Sequence, residues 1–305
     1  MTKRAGRFAQ LLDMARAAAE AVDEGPADLE GRVERLLARL DRDPEYLRSR
    51  MTLEPRNVVL EMTLRCNMRC RHCGSAAGKA RPEELRSEEW LAVAEELADL
   101  GTRVATLLGG EPLLSPHWES VAERLTSRGV WVNTITNGWT LARPRVADAV
   151  VRSGLKSVGL SLDGMAETHD DLRRRPGSFE RIGLGIDALH ERGYDEVSAV
   201  TCVTRENLVE LPELHRYLTG KGVKRWRLQV CVPEGRMQSD DPRVLQPEDL
   251  PGIVEFMRRF RHRSALGMDA ADNVGYFAGC EEVVRARSGR QRFWTGCSAG
   301  LQTAG

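Results

Sequence analysis

Three cysteines fall within eight residues, Cys66-Asn67-Met68-Arg69-Cys70-Arg71-His72-Cys73, directly after an apolar run that reads as a strand. Thiolates are the soft ligands that iron and zinc accept. Three of them on one loop suit three irons of a cubane [4Fe–4S] cluster and leave the fourth iron without a protein ligand. An open metal position is where a substrate or cofactor can coordinate, which makes the loop a candidate catalytic centre. The competing reading is a Cys₃His zinc site that recruits His72. That reading asks the adjacent side chains of His72 and Cys73 to turn into one tetrahedron, and no second half-site follows at zinc-finger spacing. The total of seven cysteines is odd and too unevenly grouped for a secreted disulfide framework. In a reducing compartment such a group binds metal. Cys202 and Cys231 stand alone inside apolar runs, where a buried small hydrophobe is the default.

Further candidates follow later apolar runs. Gly109-Gly110-Glu111-Pro112 offers backbone that a ligand can approach closely and a carboxylate able to accept a charge-assisted bond from an ammonium. Taken alone it is equally a structural turn. Thr136-Asn137-Gly138 and Ser161-Leu162-Asp163-Gly164 bring hydroxyl, amide and carboxylate groups suited to a ribose or an amino-acid moiety. Asn-Gly and Asp-Gly are also favoured turn pairs. Arg173 opens a run of three arginines, a pattern that more often marks a solvated face. No GxGxxG or GxxxxGK[ST] run is present to cradle a nucleotide phosphate, and no nucleophile–base pair suggests a hydrolytic triad.

The elements that must position these residues alternate regularly. Strands are expected at Asn57–Met62, Val104–Leu108, Trp131–Thr136, Ser157–Leu162, Glu196–Val203 and Arg225–Val232. Helices are expected near Glu88–Asp99, Trp118–Arg128, Arg145–Ser153, Phe179–Arg192, Leu208–Thr219 and Pro247–Arg261. Strand–helix–strand at this spacing means parallel strands joined by right-handed crossovers. Six such units fall two short of a closed eightfold barrel, so the fold class is α/β, a partial barrel or an open sheet. Function then belongs to the loops after the strands, where the motifs lie. Residues 1–50 read as a helical extension, with Leu29, Val33, Leu36, Leu37 and Leu40 in one apolar stripe. The core domain is expected over 51–262, and 263–305 is a looser Cys-containing tail.

The CxxxCxxC loop after the first strand resembles the signature of the radical S-adenosylmethionine (SAM) superfamily, and the likeness spans about residues 56–235. His72 supplies the aromatic residue usual before the last cysteine. The resemblance implies a TIM-like partial (β/α)₆ barrel, a [4Fe–4S] cluster on Cys66, Cys70 and Cys73, and SAM on the open iron. One-electron cleavage of SAM then gives a 5′-deoxyadenosyl radical that abstracts hydrogen from a substrate. It also implies that Gly109, Gly110 and Glu111 hold the methionine ammonium, with Thr136, Asn137, Ser161 and Asp163 as further cofactor contacts. The stretch from His169 to Phe179 resembles another family segment, in which Arg173 would pair with the cofactor carboxylate.

Phe293-Trp-Thr-Gly-Cys297-Ser-Ala-Gly300 resembles the opening of the SPASM extension, which carries auxiliary Fe–S clusters in peptide- and protein-modifying relatives. Only Cys280 and Cys297 lie beyond Cys231, so the extension reads as incomplete and these two as possible auxiliary ligands. The resemblance points to a peptide or protein side chain as substrate, with a small metabolite as the alternative, and to an electron donor such as flavodoxin or ferredoxin. A non-catalytic Fe–S carrier is the rival from outside the enzymes.

Charge and composition agree with a cytoplasmic protein. Lys plus Arg and Asp plus Glu are 45 each in 305 residues, which argues against nucleic acid as a partner. No run approaches the roughly 18 apolar residues of a membrane span.

Overall fold

The computed structural model describes residues 54–261 and 265–275, together with Glu281, Val284, Thr303 and Ala304. The expected N-terminal helices, Cys280, Cys297 and the stretch 293–300 lie outside the described residues.

Strands β1 (Asn57–Glu61), β2 (Val104–Leu108), β3 (Trp131–Thr136), β4 (Ser157–Ser161), β5 (Val197–Val203) and β6 (Arg225–Val230) lie side by side in chain order. All pair in parallel, which obliges each connection to cross the sheet. The crossovers are the helices α1 (Ser87–Asp99), α2 (Trp118–Ser127), α3 (Pro144–Arg152), α5 (Ser178–His190) and α6 (Leu211–Gly220). A short α4 (Ala166–Arg173) precedes α5, and α7 (Leu250–Phe260) follows β6. Two further strands extend the sheet. β7 (Gly267–Ala270) pairs with β6, and the two-residue β8 (Thr303–Ala304) pairs with β1. Among the described residues β7 and β8 form opposite ends of the sheet, so the architecture is the expected α/β partial barrel, one full strand longer than the six expected.

Burial alternates along the strands. Val58 and Leu60 of β1, Ala105 and Leu107 of β2, and Trp226 and Leu228 of β6 are buried. Their neighbours on the other face of these three strands are half-buried or exposed. The buried face meets the helices. Trp226 packs edge-on against Phe256 of α7, with ring centroids 5.5 Å apart, and its Nε1 donates to Thr201 Oγ1 at 2.8 Å. Ile182, Ile186 and Leu189 of α5 and Leu211, Leu214 and Leu218 of α6 complete this layer at the three- and four-residue spacing of a helix face. Parallel sheets are ordinarily covered on both faces. On β1, β2 and β6 the face turned away from the helices is the partly open one. No described helix is long and apolar enough to cross a membrane.

Candidate active site

The cysteine loop leaves β1 at Met62, whose N–H still bonds to Leu108 O at 2.9 Å. It then runs across the turn after β2. Gly110 N donates to Thr63 O at 2.7 Å, and Glu111 N donates to Arg65 O at 2.9 Å. A Cβ on Gly109 would stand 2.3 Å from Thr63 O, and one on Gly110 2.6 Å from Arg65 O. The glycine pair therefore lets the loop that carries Cys66 lie directly on the second turn. Glu84 secures the start of that loop, its carboxylate accepting from Thr63 Oγ1 at 2.8 Å, Leu64 N at 2.8 Å and Arg81 N at 3.0 Å. Burial pushes the Glu84 carboxyl up, but these bonds outweigh it and hold the carboxyl below its ordinary range.

Glu111 is fully buried and committed to the protein itself. Its Oε1 accepts from Thr136 Oγ1 at 2.6 Å and Leu113 N at 3.2 Å, and its Oε2 accepts from Asn137 N at 2.8 Å. Burial raises its pKa against the pull of these bonds. The carboxylate thus ties the turn after β2 to the end of β3 and sets Asn137 in place. Asn137 Nδ2 donates to Asn67 Oδ1 at 2.7 Å and lies 3.9 Å from Cys66 Sγ.

A second group of sequence-predicted residues surrounds Cys70. Arg173 Nη1 donates to Cys70 Sγ at 3.7 Å, and its Nη2 lies 2.5 Å from Asp163 Oδ2. Asp163 has no exposed surface, accepts from Cys202 N at 2.9 Å, and meets His72 Nε2 at 3.2 Å. Burial alone would raise the Asp163 carboxyl, but Arg173 and His72 hold it far below its usual range. The expectation of a solvated arginine run fails at Arg173, whose side chain is 12% exposed. Asp163 N also donates to His169 Nδ1 at 3.0 Å, which leaves the proton on Nε2, 3.0 Å from Ser178 Oγ. Burial lowers His169 to about 4, so the ring is neutral. Ser161 ends β4 half-buried, and its hydroxyl has no partner among the described residues.

The structure thus brings Cys66, Glu111, Thr136 and Asn137 together, and likewise Cys70, His72, Asp163 and Arg173. Cys202 and Cys231 are buried with Met237 and Val244 in one apolar cluster, as expected of small hydrophobes. Glu84, His169, Ser178 and Arg236 had no assigned role in the sequence reading. Glu84 and Arg236 are lone polar residues in loop sequence, and only the segment from His169 to Phe179, which includes Ser178, carries a motif signal.

The donor set fits a cluster. Cys66 and Cys73 are half-buried, Cys70 is buried, and all are free thiols. Met68 N donates to Cys66 Sγ at 3.4 Å, joining Asn137 and Arg173 as N–H groups aimed at sulfur. Such hydrogen bonds help set the properties of thiolate-ligated clusters. Two buried polar atoms beside the loop, His72 Nδ1 and Arg173 Nε, lack a partner, as expected of a site that another group completes. Among the described residues no three His, Cys, Asp or Glu side chains converge on a single-ion position, and His72 Nε2 faces Asp163. Burial pushes the Cys66 thiol up to about 11, so metal must displace a proton there.

The sequence pattern of the Radical SAM superfamily matches residues 60–218. The chain is 31% identical over 229 residues to the AdoMet-dependent heme synthase of Methanosarcina barkeri, covering 74% of this chain and 64% of that protein. It is 32% identical over 182 residues to the sporulation killing factor maturation protein SkfB of Bacillus subtilis, covering 60% and 44%. The chain thus spans less than two thirds of the length of these relatives. Among solved structures, Streptococcus suis SuiB bound to its precursor peptide SuiA superposes with a TM-score of 0.64 at 15% identity, covering 82% of this chain and 55% of SuiB. That likeness concerns the fold. With the cysteine loop, the parallel partial barrel and the family pattern in agreement, the chain belongs to the radical SAM superfamily, and its cofactors are a [4Fe–4S] cluster and S-adenosylmethionine.

Proposed function

We propose that Cys66, Cys70 and Cys73 hold three irons of the cluster and that SAM occupies the rim formed by the ends of β1 to β4. The carrying observation is the set of N–H donors on the sulfurs from Met68, Asn137 and Arg173. When bound, cluster and SAM supply a 5′-deoxyadenosyl radical that takes hydrogen from the substrate. The chain's own part is ligation, orientation and exclusion of water. Glu111 acts from beneath, fixing Thr136 and Asn137, while Gly109 and Gly110 just before it let the cysteine loop lie close and leave the methionine end to the backbone of this junction. Asn137 and Ser161 stand at the rim as cofactor contacts. Asp163 and Arg173 form an ionic floor that holds Cys70 and His72, a role different from pairing with the cofactor carboxylate.

For the substrate we favour a peptide or protein side chain, supported by the tail motif at 293–300 and by similarity to the mycofactocin maturase MftC of Mycolicibacterium smegmatis, 33% identical over 179 residues. The longer match to the heme synthase supports a second reading, a tetrapyrrole of heme biosynthesis. A flavodoxin or ferredoxin is the class of donor such chemistry requires. Cys280 and Cys297 stay candidates for auxiliary ligation. Anaerobic reconstitution should give about four irons per chain, lost on replacing Cys66, Cys70 and Cys73 by Ala. Zinc without iron or sulfide would overturn the cluster assignment, and about eight irons would add an auxiliary cluster. A shifted porphyrin absorption band on adding iron-coproporphyrin would favour the tetrapyrrole over the peptide.

A further inference from the structure

The cysteine loop is held from a place far away in sequence. Beyond β6 the chain turns at Gly235, whose φ of +63° lies in the left-handed region that favours glycine. A Cβ there would stand 2.2 Å from Gly74 O and 2.3 Å from Cys73 O, so the strand-end loop and the cysteine loop touch backbone to backbone. Arg236 then grips the cysteine loop at three points. Its N–H donates to Cys73 O at 3.1 Å, its Nε to Cys70 O at 2.8 Å and its Nη1 to Ala77 O at 2.9 Å. The guanidinium is a planar fork with fixed donor directions, so two carbonyls seven residues apart are set relative to each other. The loop's own bonds in this stretch are short-range, Cys73 N to Cys70 O at 3.4 Å and Ala76 N to Cys73 O at 3.1 Å. Between the two cysteines Arg71 gives a long-range anchor, its N–H donating to Leu172 O at 2.8 Å and its Nη2 to Asp171 at 2.7 Å, and Arg236 supplies the corresponding hold on the carbonyls of Cys70 and Cys73.

We propose that Gly235 and Arg236 form a latch that keeps Cys70 and Cys73 in ligating geometry, making Arg236 a positioning residue for the cluster. This rests on the reading that Cys66, Cys70 and Cys73 ligate iron. Arg236 touches no sulfur. It acts through the carbonyls of the two cysteines, so its loss changes the lifetime and spectrum of the cluster more than the stability of the barrel.

The test uses anaerobically reconstituted full chains of wild type, Arg236→Ala, Arg236→Lys and Gly235→Ala. Iron release to a ferrous chelator is timed, and the reduced cluster's electron paramagnetic resonance spectrum and the thermal midpoint are recorded alongside. Losing one bond to a charged donor corresponds to a rate increase of about tenfold. Arg236→Ala should therefore release iron at least about tenfold faster with altered g-values and a midpoint within a few degrees of wild type. Arg236→Lys, able to keep one carbonyl, should fall between. Gly235→Ala should resemble Arg236→Ala, and it carries the test if the arginine variants do not fold. Release rates within about twofold of wild type, with unchanged spectra, would overturn the latch. A midpoint that falls in step with release would also overturn it, by making Arg236 a general stabiliser. Wild type that binds no iron, or keeps it after loss of the three cysteines, would instead overturn the cluster assignment and the latch with it.

Discussion

Replacing Asp163 by Asn removes one charge from a buried set whose members have few other partners. Arg173 Nη2 stands 2.5 Å from the carboxylate, His72 Nε2 stands 3.2 Å away, and Asp163 has no exposed surface. At an effective dielectric of about 20, unit charges about 4 Å apart attract by about 4 kcal/mol. Breaking a buried pair while its partner stays charged costs about 3–5 kcal/mol. Asn keeps the shape and can still accept the bond from Cys202 N, so the change isolates the charge. With a urea slope of about 3 kcal/mol per molar, the unfolding midpoint of metal-free, thiol-reduced protein should fall by about 1 to 1.7 M, read by tryptophan fluorescence. The double variant Asp163→Asn/Arg173→Gln should lose less than the two single losses added, with a coupling of about 2 kcal/mol or more. A shift below about 0.3 M, or strict additivity, would refute the claim that Asp163 and Arg173 form a dry ionic floor.

Two further perturbations follow from the same geometry. His169 is neutral in the fold at about 4 and near 6.5 when unfolded, so its contribution is complete above pH 6.5 and declines as pH falls toward 4. That decline, on the order of 3 kcal/mol, should appear in urea midpoints measured between pH 7 and 4.5 and should shrink in His169→Asn; an equal slope in both proteins would contradict it. Gly110→Ala places a methyl group 2.6 Å from the carbonyls of Leu64 and Arg65, so the cysteine loop must shift, and reconstituted iron should drop to half or less; full iron loading would show that the loop yields freely.

Much of this frame was legible in the sequence because parallel strands with one buried face write alternation into their residues. Val104–Leu108 and Trp131–Thr136 fall where the pattern puts them. The strand β7, Gly-Met-Asp-Ala, was not legible, since four residues without an apolar run gain strand character only by pairing with β6. The helix α4 hid for a similar reason: within it only His169 and Leu172 are buried, and the rest reads as a charged turn. Around the site, spacing revealed the thiols but not what supports them. Arg173, Arg174 and Arg175 look alike in sequence, and only the position of Asp163 selects the first for burial. Arg236 reaches Cys70 across 166 residues, a distance over which no local pattern carries information. The glycine pair was legible as a site of close approach, but its neighbour proved to be the cysteine loop itself.

The most direct test of the central claim is the amount of 5′-deoxyadenosine formed from S-adenosylmethionine when the reconstituted chain is reduced with dithionite under anaerobic conditions. The arrangement of Cys66, Cys70 and Cys73 beneath the open rim predicts its formation by wild type and its loss in the variant with all three cysteines replaced by Ala. A wild-type chain that carries a full cluster yet forms none, or a triple variant that forms as much, would contradict the assignment of those thiols as the seat of the chemistry.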